Sequence, residues 1–137
     1  MGLGGENVQV QRLTILGDPV GSGNIFYLMK APRDLTVTRV SVVSENTQNA
    51  GTAVLLALEN WGTAGTAVEG TVAAAVGGTA AAAVLTARTP VEATITAAQA
   101  YVSEDEWLVV DYTEEGTGWI AGDMFAYQVE YVFGKVG

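Results

Sequence analysis

A chain of 137 residues is the size of one domain, and surface scaling buries about two-thirds of its area on folding, enough for a core without metal or disulfide support. Neither cysteine nor histidine occurs, which removes disulfides, thiolate metal sites, the commonest general base and the usual partner of a serine nucleophile. The net charge of −9 has the wrong sign for a nucleic-acid surface, because a phosphate backbone needs a basic footprint.

The opening MGLGGEN has three glycines and little to pack. It reads as a flexible arm, with neither the charged nor the apolar region of a secretory leader. Val8 to Leu16, VQVQRLTIL, is the first strand. Val8 and Val10 share one face while Leu13 and Ile15 share the other, which predicts a bulge near Arg12 or a first half paired outside its own sheet. The arm is therefore bounded at residues 1–12 and a single β domain at 13–137. GDPVGSG, at 17–23, is a loop. Asn24 to Lys30, NIFYLMK, is apolar enough to predict a strand buried on both faces.

Leu35 to Val43, LTVTRVSVV, changes face at Arg39 and Val40 and again predicts a bulge. Thr52 to Glu59, bounded by glycine, is a strand. The turn NWGTAG carries Trp61, an indole that either folds back over a sheet edge or serves a contact surface. Residues 64–87 are rich in Ala, Gly, Thr and Val; AGTAV occurs at Ala50–Val54 and again at Ala64–Val68. Short strands are expected at 67–76 and 79–87. The run VAAAVGGTAAAAVL is too short to span a bilayer.

Val91 to Thr96 alternates as a strand, and Ala97 to Asp105 suits a helical turn. Glu106 to Thr113 is a strand with Trp107, Val109 and Asp111 on one face and Leu108, Val110 and Tyr112 on the other. The strongest signal closes the chain. In MFAYQVEYVF, Phe125, Tyr127, Val129, Tyr131 and Phe133 alternate with Met124, Ala126, Gln128, Glu130 and Val132. A period of two puts the large side chains on one face, and that face needs an opposing layer.

Many short strands with no firm helix predict an all-β, two-sheet jelly-roll sandwich with an extended N-terminal arm, an immunoglobulin-type sandwich being the alternative. No motif carries chemistry. The acids at Glu104–Glu106, Asp111 and Glu114–Glu115 flank one strand at opposite ends and read as a solvated rim. No catalytic, cofactor-binding or metal-binding residue is assigned. Arg33 and Arg39 flank the third strand, as surface cations or as anchors for an acidic partner.

Four stretches together resemble the small jelly-roll decoration, or cement, proteins on the capsids of tailed bacteriophages. They are APRDLTVTRVSVVSEN at 31–46, the Ala/Thr/Gly-rich middle, YVSEDEWLVVDYTEEGTG at 101–118 and YQVEYVFG at 127–134. The likeness covers roughly residues 24–134. It departs at Glu104-Asp105, where such proteins often carry Gly-Asp. The resemblance implies a homotrimer on the outer surface of a virion, bridging neighbouring major-capsid subunits, with no cofactor, nucleic acid or membrane as partner. Leu3, Val8, Val10 and Arg12 of the arm, with Arg33, Arg39 and Trp61, are then the expected partner-interface residues. A glycan- or receptor-binding module is the alternative, signalled by an exposed Trp61 or Trp119. A histidine-free glycosidase is a third reading, signalled by two converging carboxylates.

Overall fold

The computed structural model describes residues 7–16, 24–47, 52–74, 85–116 and 123–135. They form nine strands: β1 (Gln9–Leu16), β2 (Asn24–Lys30), β3 (Leu35–Ser44), β4 (Thr52–Asn60), β5 (Gly70–Ala73), β6 (Val91–Glu92), β7 (Tyr101–Val102), β8 (Trp107–Gly116) and β9 (Met124–Phe133). A single 3-10 turn spans Ala97–Gln99. Among the described residues no helix is long and apolar enough to cross a membrane.

The strands make two antiparallel sheets. One runs β1-β9-β3-β6, with β7 also on β3; the other runs β2-β8-β4-β5. Only β4–β5 and β6–β7 are joined within one sheet, and every other connection crosses to the opposite sheet. That is the jelly-roll arrangement of a two-sheet sandwich.

The expected alternation in β9 organises the core. Phe125, Tyr127, Val129 and Tyr131 are buried, while Met124 and Ala126 are exposed. Facing them from the second sheet are Leu56 and Leu58 of β4 and Leu108, Val110 and Tyr112 of β8, all buried. The rings of Tyr112 and Phe125 meet across the two layers at 5.9 Å. Each such side chain contributes about 1.5–3 kcal/mol relative to exposure.

One lateral side of the sandwich is sealed by residues 91–102. Val91 pairs with Val42 and Val102 with Leu35 in the first sheet. The Ala93 N–H donates to the Val40 carbonyl and the Val37 N–H to the Ala100 carbonyl, each at 2.9 Å. The same segment reaches the second sheet, where Thr96 N–H donates to Val72 and Ala74 N–H to Thr94. Ile95 bridges Ala73. Its backbone groups are thus satisfied by both layers at once, which is what a buried crossing requires.

Several expectations change. β1 has no bulge: its register with β9 runs unbroken from Gln9↔Tyr131 to Leu16↔Met124. Gln9–Arg12 therefore continue the ladder of Leu13–Leu16, and Val10 points out with Arg12 while Gln9 and Gln11 lie half-buried. β2 is an edge strand, not one buried on both faces, and Ile25 and Tyr27 are exposed. The bulge expected in β3 lies between Val37 and Arg39, and the two ends of the strand bury Leu35 and Val37, then Val40 and Val42. Of the expected strand at 67–76, residues 75–76 lie outside the described residues and 67–74 are strand only over β5. Of the one at 79–87, residues 79–84 lie outside the described residues and 85–87 are not strand, although Leu85 is fully buried. The helical turn expected at 97–105 is the 3-10 turn at Ala97–Gln99, followed by β7.

Candidate functional site

The outer face of the first sheet gathers most of the residues singled out from the sequence. Register puts Val10, Glu130 and Arg39 in one row across β1, β9 and β3. Arg12, Gln128, Ser41 and Glu92 form the next row, reaching β6. The Arg12 Nε donates to Gln128 Oε1 at 2.9 Å. Gln128 Nε2 donates to Glu130 Oε2 at 3.3 Å. Arg39 closes the chain, with Nε 2.5 Å from Glu92 Oε1 and Nη1 3.6 Å from Glu130 Oε2. Two cations and two anions thus cancel over four strands on one face. Beside this network lies a shallow depression of about 260 Å³, where the small side chains of Thr14, Ser41 and Ala126 lie between larger ones.

Apolar side chains frame the face. Val8 is 54% exposed, Val10 42%, Leu16 57% and Met124 44%. Leu16 and Met124 are direct partners in the β1–β9 ladder. Leu16 and Met124 were missed in the sequence because apolar residues at strand ends read as core. The alternate set of MFAYQVEYVF already placed Met124 and Gln128 opposite the aromatic face.

Trp61 folds back. Its ring meets Tyr27 edge-on at 6.1 Å and its Nε1 donates to Glu59 Oε1 at 3.0 Å. Tyr27 also meets Trp107 at 5.6 Å and donates its hydroxyl to the Gly65 carbonyl at 2.8 Å. Gly65 has φ +67°, and a Cβ there would stand 2.7 Å from Trp107 Cδ1. Two constraints, left-handed backbone and contact with an indole, therefore select glycine. Burial raises the Glu59 carboxyl above the ordinary range, against the lowering effect of the Trp61 hydrogen bond, and nearby Asp111 adds to the rise.

Arg33 sits apart from Arg39, its guanidinium 4.8 Å from the Phe133 ring centre. Next to it, Asp34 is a latch for three loops. Its Oδ2 accepts the Tyr101 hydroxyl at 2.6 Å, its Oδ1 the Glu104 N–H at 2.8 Å, and its carbonyl the Gly134 N–H at 2.8 Å. The Tyr101 hydrogen bond, then that from Glu104, hold the Asp34 carboxyl below its ordinary value.

The solvated acidic rim holds for Glu104 and Asp105 but not for Glu106 and Glu114. Glu106 Oε1 accepts the Ser103 N–H at 2.7 Å and the Asn60 amide at 3.1 Å. Glu114 is buried and accepts the Tyr112 hydroxyl, since β8 turns both residues inward. Among the described residues no three acidic side chains converge as a metal site. Leu3 and Trp119 lie outside the described residues.

Comparison with solved structures gives the fold a class: a capsid-type jelly roll. A chain from the capsid of Ralstonia phage GP4 superposes with a TM-score of 0.64, over 97% of this chain and 87% of that one, at 21% identity. A chain of the infectious bursal disease virus Gt strain aligns at 16% identity over 95% of this chain and 33% of that one, with a TM-score of 0.41, too low to bear on function. No protein-family model matches the chain, and no curated protein does.

Proposed function

We propose that this chain is a structural protein of a phage virion. It decorates the outer surface of the capsid as a homotrimer and stabilises the shell by bridging neighbouring major-capsid subunits. The observation that carries this reading is the likeness to a capsid chain over nearly the whole length of both. The exposed apolar residues Val8, Val10, Leu16 and Met124 beside one another support it, because apolar surface gathered in one place marks a contact surface. No bond is made or broken in this function and no cofactor takes part. Many modest contacts, repeated over a shell, sum to a large resistance to internal pressure.

On this reading Val8, Val10 and Arg12 are the leading contact residues of the arm and first strand. Arg39 is already held by Glu92 and Glu130, and Arg33 by Phe133. They serve a partner only by exchanging those contacts. The glycan-binding alternative turns on an exposed Trp61 or Trp119; Trp61 is half-buried and hydrogen-bonded, and Trp119 lies outside the described residues.

The test is immunogold labelling of purified virions from the genome that encodes the chain, with particle heat stability measured in its absence. Label on intact particles and earlier DNA release without the protein are expected. A chain missing from purified virions would sink the proposal.

A further inference from the structure

The two outer faces of the sandwich differ in charge. On the first sheet Arg12 and Arg39 offset Glu92 and Glu130. On the second, the ladder places Tyr27 of β2, Val109 of β8, Glu59 of β4 and Thr71 of β5 in one row, and Ile25, Asp111 and Ala57 in the next. Direct ladder partners share a face, so the Glu59 and Asp111 carboxylates stand on the same face as Tyr27. Glu69 adds a carboxylate at the rim, packed on Gly62 next to Trp61. The only cation in β2, β4, β5 and β8 is Lys30, and Asp105 holds it at 3.8 Å. The balance of this face is negative, in a chain of net charge −9.

The same face carries aromatic rings. Tyr27 is 53% exposed and meets Trp61 and Trp107 edge-on. Val109, in the Tyr27 row, is fully buried yet stands outside the core between the sheets. The rings therefore belong to an apolar patch of their own. Trp107 already carries a cation, the Lys30 Nζ, 5.9 Å from its ring centre. Among the described residues no cation lies on Tyr27 or Trp61. Glu59 accepts the Trp61 indole N–H, but burial and nearby Asp111 still raise its carboxyl, so its negative charge is poorly compensated.

We infer that the Tyr27–Trp61 patch is the docking site for an arginine side chain of a partner protein. A guanidinium plane stacks on the rings while its N–H groups donate to Glu59 and Asp111; a lysine ammonium cannot do both as well. The depression of about 330 Å³ between Tyr27, Ala64, Gly65 and Trp107 receives the aliphatic stem. Negative charge around the rings also steers a basic partner toward them. The site follows from the second sheet alone and does not rest on the capsid reading.

The experiment titrates the full chain at pH 7 and low salt with a short acetylated peptide carrying two arginines, followed by amide and indole N–H shifts in NMR. The control peptide carries citrulline, neutral and of the same shape. Saturable shifts at the Trp61 indole, Tyr27, Glu59 and Asp111 are expected with arginine and not with citrulline. Glu59→Gln with Asp111→Asn should weaken binding by at least about tenfold. Glu45→Gln with Glu104→Gln, the same loss of charge elsewhere, should bind as the wild type does, and circular dichroism checks that each variant is folded. No saturable shift, shifts centred on another face, an equal response to citrulline, or equal weakening by the two double variants would each overturn the inference. A virion protein that ignores the arginine peptide defeats the inference alone. A chain that binds it but is absent from virions defeats the functional reading alone.

Discussion

The two lateral sides of the sandwich solve the edge problem in opposite ways. On one, residues 91–102 hydrogen-bond to β3 and to β5 in turn, so both sheets end under a shared strap. On the other, β1 and β2 end in exposed Val10, Leu16, Ile25 and Tyr27 with no described strand beyond them. The difference teaches that the sheets could have been closed on both sides by the same means. Sealing costs a segment of chain, and leaving an edge open keeps a surface for association.

The sharpest way to break the contrast is paired truncation. Leu35→Ala, at the sealed side where Leu35 faces Val102, should cost about 3 kcal/mol in denaturant unfolding of the monomeric form. Leu16→Ala, on the open side, should stay within about 0.5 kcal/mol. Equal costs would mean that the open side is packed after all. Next in size is Gly65→Ala, which forces a Cβ onto Trp107 at a positive φ. A loss of about 1–2 kcal/mol is expected, with a shift in tryptophan emission marking the disturbed Tyr27–Trp107 contact.

Tyr127→Phe tests the core between the sides. The Tyr127 hydroxyl is buried without a hydrogen-bond partner among the described residues, and burial pushes its pKa upward. Removing it should leave stability unchanged or raise it by about 1 kcal/mol. A large loss would reveal an unseen partner. The smallest effects are in pH. Asp34 is held below its ordinary pKa, so its share of stability is present above pH about 4 and fades as pH falls through the lowered value. Glu59 is raised, so its carboxylate opposes folding as pH rises from about 4 through the raised value. Glu59→Gln should therefore raise Tm at pH 7 by about 1–2 °C and lose that advantage in acid, by calorimetry across pH.

The fold was readable where one face is apolar and the other is not. In β9 the aromatic set and the polar set alternate, and the burial follows residue for residue from Met124 to Tyr131. β1 misled because Val8 and Val10 are apolar yet face out, while Gln9 and Gln11 turn in. A pattern rule assigns valine to the core, and only the position of β1 at an edge reverses that. The same holds for Ile25 and Tyr27 of β2. Edge or centre is decided by strands more than 80 residues away, such as β8 and β9, and no local window contains that information. Residues 67–87 were hardest, since Ala and Gly carry little periodic signal; among the described residues of that range only Gly70–Ala73 is strand. Of the proposed contact residues, Val10 and Arg12 could be picked out early, whereas the exposed pair Leu16 and Met124 required the register that sets them side by side.

The place of β9 has a consequence for how the protein is made. It lies between β1 and β3 and supplies the ladder partners of both. During synthesis β1 leaves the ribosome first and has no neighbour in its own sheet until more than a hundred further residues have followed. The nascent chain must carry a bare strand with outward valines through that interval. Its first sheet then assembles by insertion, the late strand sliding between two that have waited, a slow step at which a chaperone can act.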